Sequence, residues 1–311
     1  MNDLTIVMYH YVRDLERTRY PEIKGRTTTD FRKQVAYLTR NYHPVTVQDL
    51  IAALFHGESL PPNAMLLTFD DGYIDHFANV FPVLHDKGVQ GLFFPPVASA
   101  RRRELLSINR IHFLLASVDI SDLARQMEAG MDRFSEQYGL ESITEYRKRW
   151  AHPGRFDDAT TMYVKRMLQI GLPEAVRGKL CRELFRRFVT ADEATFVEEL
   201  YCTEEQLRLM QACGMYIGCH GDNHTRLDTL EPIELDRQIE SSLEFLRMIG
   251  SPVENFWVMS YPHGAHNTKV VEALREKGCS FAVTIESAHA DLSTCDPLRL
   301  PRFDTNEIPL G

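Results

Sequence analysis

The chain has 311 residues, 44% of them apolar and 25% charged, and a formal net charge of −9. That is the make-up of an ordinary globular protein, with room for one large core or two smaller ones. The acidic balance argues against a nucleic-acid partner, which would want a basic face, and no apolar run reaches the length of a transmembrane segment.

The N-terminal stretch MNDLTIVMYHYVRD has no basic n-region and no small-residue cleavage site, so it reads as a first strand from Leu4 and not as a signal peptide. FRKQVAYLTRNY follows with Phe31, Val35, Leu38 and Tyr42 at helical spacing. HPVTV reads as a short strand, VQDLIAALFHG as a helix closed by Gly57, and AMLLTF as a strand that runs into Asp70 and Asp71. The next apolar stripe, Ile74, Phe77, Phe81 and Leu84, contains Pro82, which predicts a kink or break there. Gly88 ends that helix and VQGLFFPP is another strand.

The alternation resumes at Thr203. TEEQLRLMQACG opens with a capping box, Thr203 with Gln206, and stops at Gly214. Strand MYIGCH, helix EPIELDRQIESSLEFLRMIG, strand NFWVMSYP, helix NTKVVEALREKG and strand CSFAVTI complete the order. Such alternation implies a parallel sheet, open or closed into a barrel, with active residues at the C-terminal strand ends. His10, Asp70–Asp71, His220 and the SYPHG run all fall there.

Residues 98–199 break the pattern. The stretch is too long for a connection and has helical periodicity, so it reads as a helical insertion between barrel segments 1–97 and 200–311. Its RRRE run at Arg101 reads as a solvated loop; the sharper alternative is a site for phosphate or anionic headgroups, which leaves peripheral membrane contact open. Six cysteines without a C-x-x-C pair read as reduced, mostly buried thiols, and point to a cytoplasmic protein. Cys219, beside His220, is expected to pack and not to ligate.

HGDNH places His220 and His224 four apart in a tight loop after a strand. Two histidines with a carboxylate are a common ligand set for catalytic zinc. H-x-x-x-H spacing alone is weak, and its place at a strand end, matched by an acidic strand end elsewhere, strengthens it. An Asp-Gly turn that caps the next helix would need one aspartate. Two allow one carboxylate to bind a metal while the other stays free as a base.

Together TFDDG, HGDNH and SYPHG resemble the polysaccharide deacetylases of carbohydrate esterase family 4, the NodB-homology domain. The resemblance implies a distorted (β/α)7 barrel and a hydrolase that removes acetyl groups from sugars. It makes Asp70 the general base and Asp71, His220 and His224 the ligands of a divalent metal, zinc foremost, with cobalt, nickel and manganese as alternatives. The third motif departs from the commoner R-x-P-Y-G: Ser260 stands where the arginine would and His263 replaces the tyrosine. The turn still offers the His263 N–H to an oxyanion. RLPRFD supplies Arg299 and Arg302 as replacements for the arginine, with Arg302 preferred over surface ion pairing. The family's final motif, an apolar strand ending in the acid histidine, is matched at the N-terminus by IVMYHYV, as in the circularly permuted poly-N-acetylglucosamine deacetylase branch. His10 is then the acid, against the plainer reading of a buried strand-end histidine.

The expected activity is hydrolysis of an N-acetyl group on a free, nucleotide-linked or lipid-linked sugar. The alternatives are a non-sugar amide on the same barrel, or a non-catalytic carbohydrate-binding protein.

Overall fold

The computed structural model describes residues 3–154 and 157–311. The chain divides into two compact units: one of the N-terminal segment to Asp14 with Gly25–Glu104 and Val197–Gly311, the other of Leu15–Lys24 and Leu105–Phe196. The sequence boundaries at 98 and 199 differ from these. Val97–Ala100 is a short helix of the first unit, and Leu15–Lys24 joins the second.

In the first unit, strands and helices alternate as β1 (Asp3–Tyr9), α1 (Thr28–Asn41), β2 (His43–Pro44), α2 (Val47–Phe55), β3 (Ala64–Asp70), α3 (Phe81–Asp86), β4 (Gly91–Phe94) and α4 (Val97–Ala100). The expected break at Pro82 takes the form of a π-helical turn over His76–Val80, after which α3 starts afresh. Pro82 then lies in the first turn of α3, where no amide donor is needed.

The second unit holds α5 (Ser107–Ser117), α6 (Ile120–Tyr138), α7 (Ile143–Trp150), α8 (Ala159–Arg166) and α9 (Glu174–Phe188) around Ile111, Leu114, Met127, Val164 and Leu180. Tyr20 meets Phe113 and Phe196 edge-on, at 4.9 and 5.9 Å between ring centroids, which ties the 15–24 segment to this core. After α10 (Glu193–Leu200) the first unit continues with α11 (Glu204–Ala212), β5 (Tyr216–Ile217), α12 (Pro232–Ile249), β6 (Trp257–Ser260), α13 (Thr268–Glu276), β7 (Cys279–Val283), β8 (Ala290–Asp291) and β9 (Phe303–Asp304). The Thr203–Gln206 capping box starts α11 as the sequence predicts. No helix among the described residues is long and apolar enough to cross a membrane.

The strands close a ring of parallel neighbours in the order β1, β3, β4, β5, β6, β7, β9. Paired ladders join β1 to β3, β3 to β4, β4 to β5 and β6 to β7. Single parallel bridges, Cys219 to Met259 and Val283 to Leu300, carry the ring across its looser seams, and β9 returns to β1 at Val7 and Met8. The result is the distorted (β/α)7 barrel. β5 is shorter than MYIGCH suggests: at Gly218 a Cβ would lie 2.7 Å from the Phe94 ring, so an aromatic occupies the space beside the strand.

Side-chain direction follows the period of two. Leu4 and Ile6, Ala64 and Leu66, Leu92 and Phe94, Tyr216, Val258, and Phe281 and Val283 form one core together with α2. Their alternates Val7 and Tyr9, Met65, Leu67 and Phe69, Phe93, and Met259 pack against α1, α12 and α13 in the other. Continuing the first parity to the strand ends reaches His10, Thr68, Asp70, His220, Ser260 and Arg302.

Candidate active site

Asp70 is the last residue of β3 and is buried. Arg302, the residue just before β9, grips it. Nη1 donates to Oδ1 at 3.0 Å and Nη2 to Oδ2 at 2.8 Å, the bidentate geometry that suits guanidinium to carboxylate. The remaining donors go to Thr284 O at 2.7 Å from Nε, to Thr68 Oγ1 at 3.0 Å and to Ser260 Oγ at 3.0 Å. A fully buried arginine thus leaves no donor unmet. Arg299 is exposed and takes no part. Ser260, in the place of the motif arginine, donates to Asp70 Oδ2 at 3.1 Å. Burial opposes ionisation of Asp70, but Arg302, with His220 and His10, brings its carboxyl down to about 2.

Asp71 follows in a left-handed conformation, φ 75°, and Gly72 continues it at φ 66°. A Cβ on Gly72 would stand 2.7 Å from the Pro95 Cβ, so glycine is required there. The reversal aims the Asp71 carboxylate at HGDNH. Its Oδ2 accepts from the Tyr73 hydroxyl at 2.6 Å. Its Oδ1 lies 3.4 Å from His220 Nε2 and 3.1 Å from His224 Nε2, buried and with no hydrogen bond among the described residues. His220 Nδ1 donates to Ser260 O at 2.7 Å, which leaves the Nε2 lone pair facing the carboxylate. Ligand atoms from all three side chains lie within 4.8 Å of one another. A buried, unpaired carboxylate oxygen between two imidazole nitrogens is a donor set that fits a divalent cation.

His224 and His263 also hold positive φ, 58° and 59°. Non-glycine residues rarely do so, and such strain gathers at functional sites. The His263 ring packs 4.5 Å from that of His224. Burial, with His224 beside it, lowers the His263 imidazole to about 2, so the ring is neutral near pH 7. The residue is the middle one of the Pro262–Gly264 turn, within the first turn, where amides have no intrahelical acceptor. His10 is the first residue beyond β1, near enough to Asp70 and Asp71 to favour the ionised form of both. His10, Asp70, Asp71, His220, His224, His263 and Arg302 therefore meet at one end of the barrel.

Sequence reasoning missed the supports of the HGDNH loop. Asp222 is buried and receives Arg102 through both carboxylate oxygens, at 2.7 and 3.0 Å, and Ser241 Oγ at 2.6 Å. Ala98 N donates to Asp222 O at 2.7 Å, and Gln238 Oε1 accepts from Asp222 N at 3.0 Å. Arg103 binds Glu198 and the Cys202 carbonyl. In the RRRE run Arg101, Arg102 and Glu104 are exposed, as a solvated loop requires, while Arg102 and Arg103 direct donors to Asp222, Glu198 and the Cys202 carbonyl. Asp222→Ala is expected to weaken cation affinity about 10-fold, the lower end for loss of a supporting partner, in a titration against a competing chelator.

A family model described as polysaccharide deacetylase matches residues 186–282. The span includes His220, His224 and His263 and lies beyond Asp70 and Asp71. Over that span the chain is similar to the polysaccharide deacetylases. The poly-beta-1,6-N-acetyl-D-glucosamine N-deacetylase of Escherichia coli K12 is 35% identical over 85 residues, 27% of this chain and 12% of that enzyme, so the chain matches only a small part of its relative's length. Among solved structures, a Streptococcus pyogenes deacetylase, PplD, in complex with acetate aligns with TM-score 0.58 at 14% identity, over 97% of this chain and 92% of that one. The BpsB deacetylase domain from Bordetella bronchiseptica gives 0.57 at 14%, over 97% and 96%, and IcaB from Ammonifex degensii 0.51 at 17%, over 92% and 85%. At these identities the structures establish a shared fold.

Proposed function

We propose that the chain is a metal-dependent carbohydrate deacetylase that hydrolyses an N-acetyl group on a sugar and releases acetate. The observation that carries this reading is the division of labour in the aspartate pair: Asp70 is bound to Arg302, and Asp71 is turned toward two histidines with one oxygen left open.

Asp71, His220 and His224 would hold the cation; zinc is proposed first, with cobalt, nickel and manganese as alternatives. A divalent cation held by these residues would polarise the acetyl carbonyl and acidify a water molecule. Asp70 takes the proton of the attacking water. Its Oδ2 already accepts from Arg302 and Ser260, whereas Oδ1 accepts from Arg302 alone, so Oδ1 is the oxygen with a lone pair to receive it. The low pKa keeps this carboxylate ionised throughout the working range. The His263 N–H stabilises the oxyanion that develops on the former carbonyl. His10 protonates the nitrogen as the C–N bond breaks, which gives a free amine and acetate.

His10→Ala is expected to slow amide hydrolysis about 10²–10⁴-fold, the usual share of a general acid. The loss should be smaller on an activated aryl acetate, whose leaving group departs without a proton. An unchanged amide rate would return His10 to a structural role.

A cytoplasmic location and a free, nucleotide-linked or lipid-linked sugar are part of the proposal and rest on the unpaired cysteines. The internal pairing of Arg102 and Arg103 gives no support to a phosphate-bearing carrier. The test is acetate release from free, nucleotide-linked, lipid-linked and polymeric N-acetylglucosamine, with enzyme stripped by chelator and reloaded. Release from none of them by the reloaded enzyme would overturn the reading.

A further inference from the structure

The turn after the aspartate pair takes no part in the reaction above, yet three of its side chains converge on the short segment that carries His10. His76 Nε2 lies 2.9 Å from the His10 carbonyl oxygen. Asp75 Oδ2 accepts from Val12 N at 3.1 Å and from Arg13 Nε at 2.8 Å. Asn79 Nδ2 donates to Val12 O at 2.7 Å. Asp75 and His76 are buried, and the π-helical turn at His76–Val80 falls at this point, a distortion that recurs at functional sites.

The chemistry of His76 is constrained. A carbonyl oxygen only accepts, so Nε2 carries the proton and Nδ1 is a lone pair. That Nδ1 is buried with no donor among the described residues. The ring sits among Phe69, Tyr73 and Phe93, with centroids 5.6, 5.6 and 5.7 Å away. A leucine or phenylalanine would fill such a cage with no unmet polar atom, whereas an unmet buried acceptor costs about 1–3 kcal/mol. What histidine alone adds is the bond to His10. Burial holds the imidazole down to about 4, so it stays neutral near pH 7 and keeps this one tautomeric role.

We infer that His76 is a positioning residue for the proton donor. Its Nε2–H fixes the His10 carbonyl, and Asp75 and Asn79 fix the residues that follow, so the His10 imidazole is held in line with the departing nitrogen. The inference rests on His10 being the acid.

The test is a double-mutant cycle on the full chain, read on an N-acetylglucosamine oligomer and on an activated aryl acetate, with metal content measured for each variant. His76→Leu is expected to lower kcat on the amide about 10²-fold, the scale of a roughly 1 Å misplacement of a reacting group. KM and metal content should hold, and the loss on the ester should be smaller. His76→Gln, whose amide nitrogen can reach the same carbonyl, should recover most of the rate. In a His10→Ala background His76→Leu should cost nothing further. Losses that multiply in the double variant, loss of metal, or no effect of His76→Leu would each overturn the inference. If His76→Leu does not fold, Asn79→Ala carries the same expectations and the same outcomes against them. If His10→Ala leaves amide turnover unchanged, the assignment of the acid falls; if His10→Ala is slow and His76→Leu is not, only the positioning role falls.

Discussion

Alanine at Asp71, His220 or His224 is expected to strip the cation and take amide turnover down by at least about 10³-fold, the rate equivalent of the several kcal/mol a Lewis acid supplies. A set of three protein ligands has no spare member. Asp70→Asn should separate the pair. It loses the base and most of the activity but keeps the metal, because Asp70 faces Arg302 and not the histidines. Elemental analysis of these variants and of Asp71→Asn decides it. Full occupancy in any of the three alanine variants would count against the ligand assignment. Metal lost from Asp70→Asn but kept in Asp71→Asn would exchange the two roles.

The second large effect belongs to Arg302. Arg302→Met leaves Asp70 buried without its cation, a change that costs about 3–5 kcal/mol for a buried pair broken on one side. Chemical denaturation should show that loss, and Arg302→Met with Asp70→Asn should recover part of it, since neither buried charge then remains. The pH dependence has a definite sign. The Asp70 carboxyl titrates near 3.8 when unfolded and at about 2 when folded, so its contribution is complete above about pH 4 and is lost as the pH falls toward 2. In Arg302→Met that pull is gone, and the acid-unfolding midpoint should move to higher pH. Equal midpoints for the two proteins would mean that the pair contributes nothing to acid resistance. Arg302→Lys keeps the charge but not the fork, and should fall between them.

Much of the barrel was legible because strand and helix signals alternate with clear stops, from Gly57 and Gly88 to the Thr203 capping box. The direction of the side chains was not. In β3 both faces are buried, so Ala64–Phe69 reads as one apolar run and hides which residues share a face with Asp70. The motifs named residues that the structure brings to one end of the barrel. Their supports could not be named, because those contacts run to backbone atoms or across distant segments: His76 to a carbonyl and Arg102 to the middle of HGDNH. Replacement of the motif arginine was readable only as a choice between Arg299 and Arg302. Burial separates the two, and burial of a charged residue has no signature in a polar stretch such as RLPRFD.

The ring closes between β1 and β9, which lie at opposite ends of the sequence. A nascent chain that has made β1 to β7 already holds Asp70 in its third strand but has no guanidinium to bury with it. Closing the barrel and neutralising that carboxylate are therefore one event, which waits until Arg302 and β9 have been made. A chain cut short just before Arg302 would be more than a slower enzyme. It would carry an open seam beside an uncompensated charge, the kind of surface that proteases and chaperones act on, and the site's chemistry doubles as a check that the whole barrel has been made.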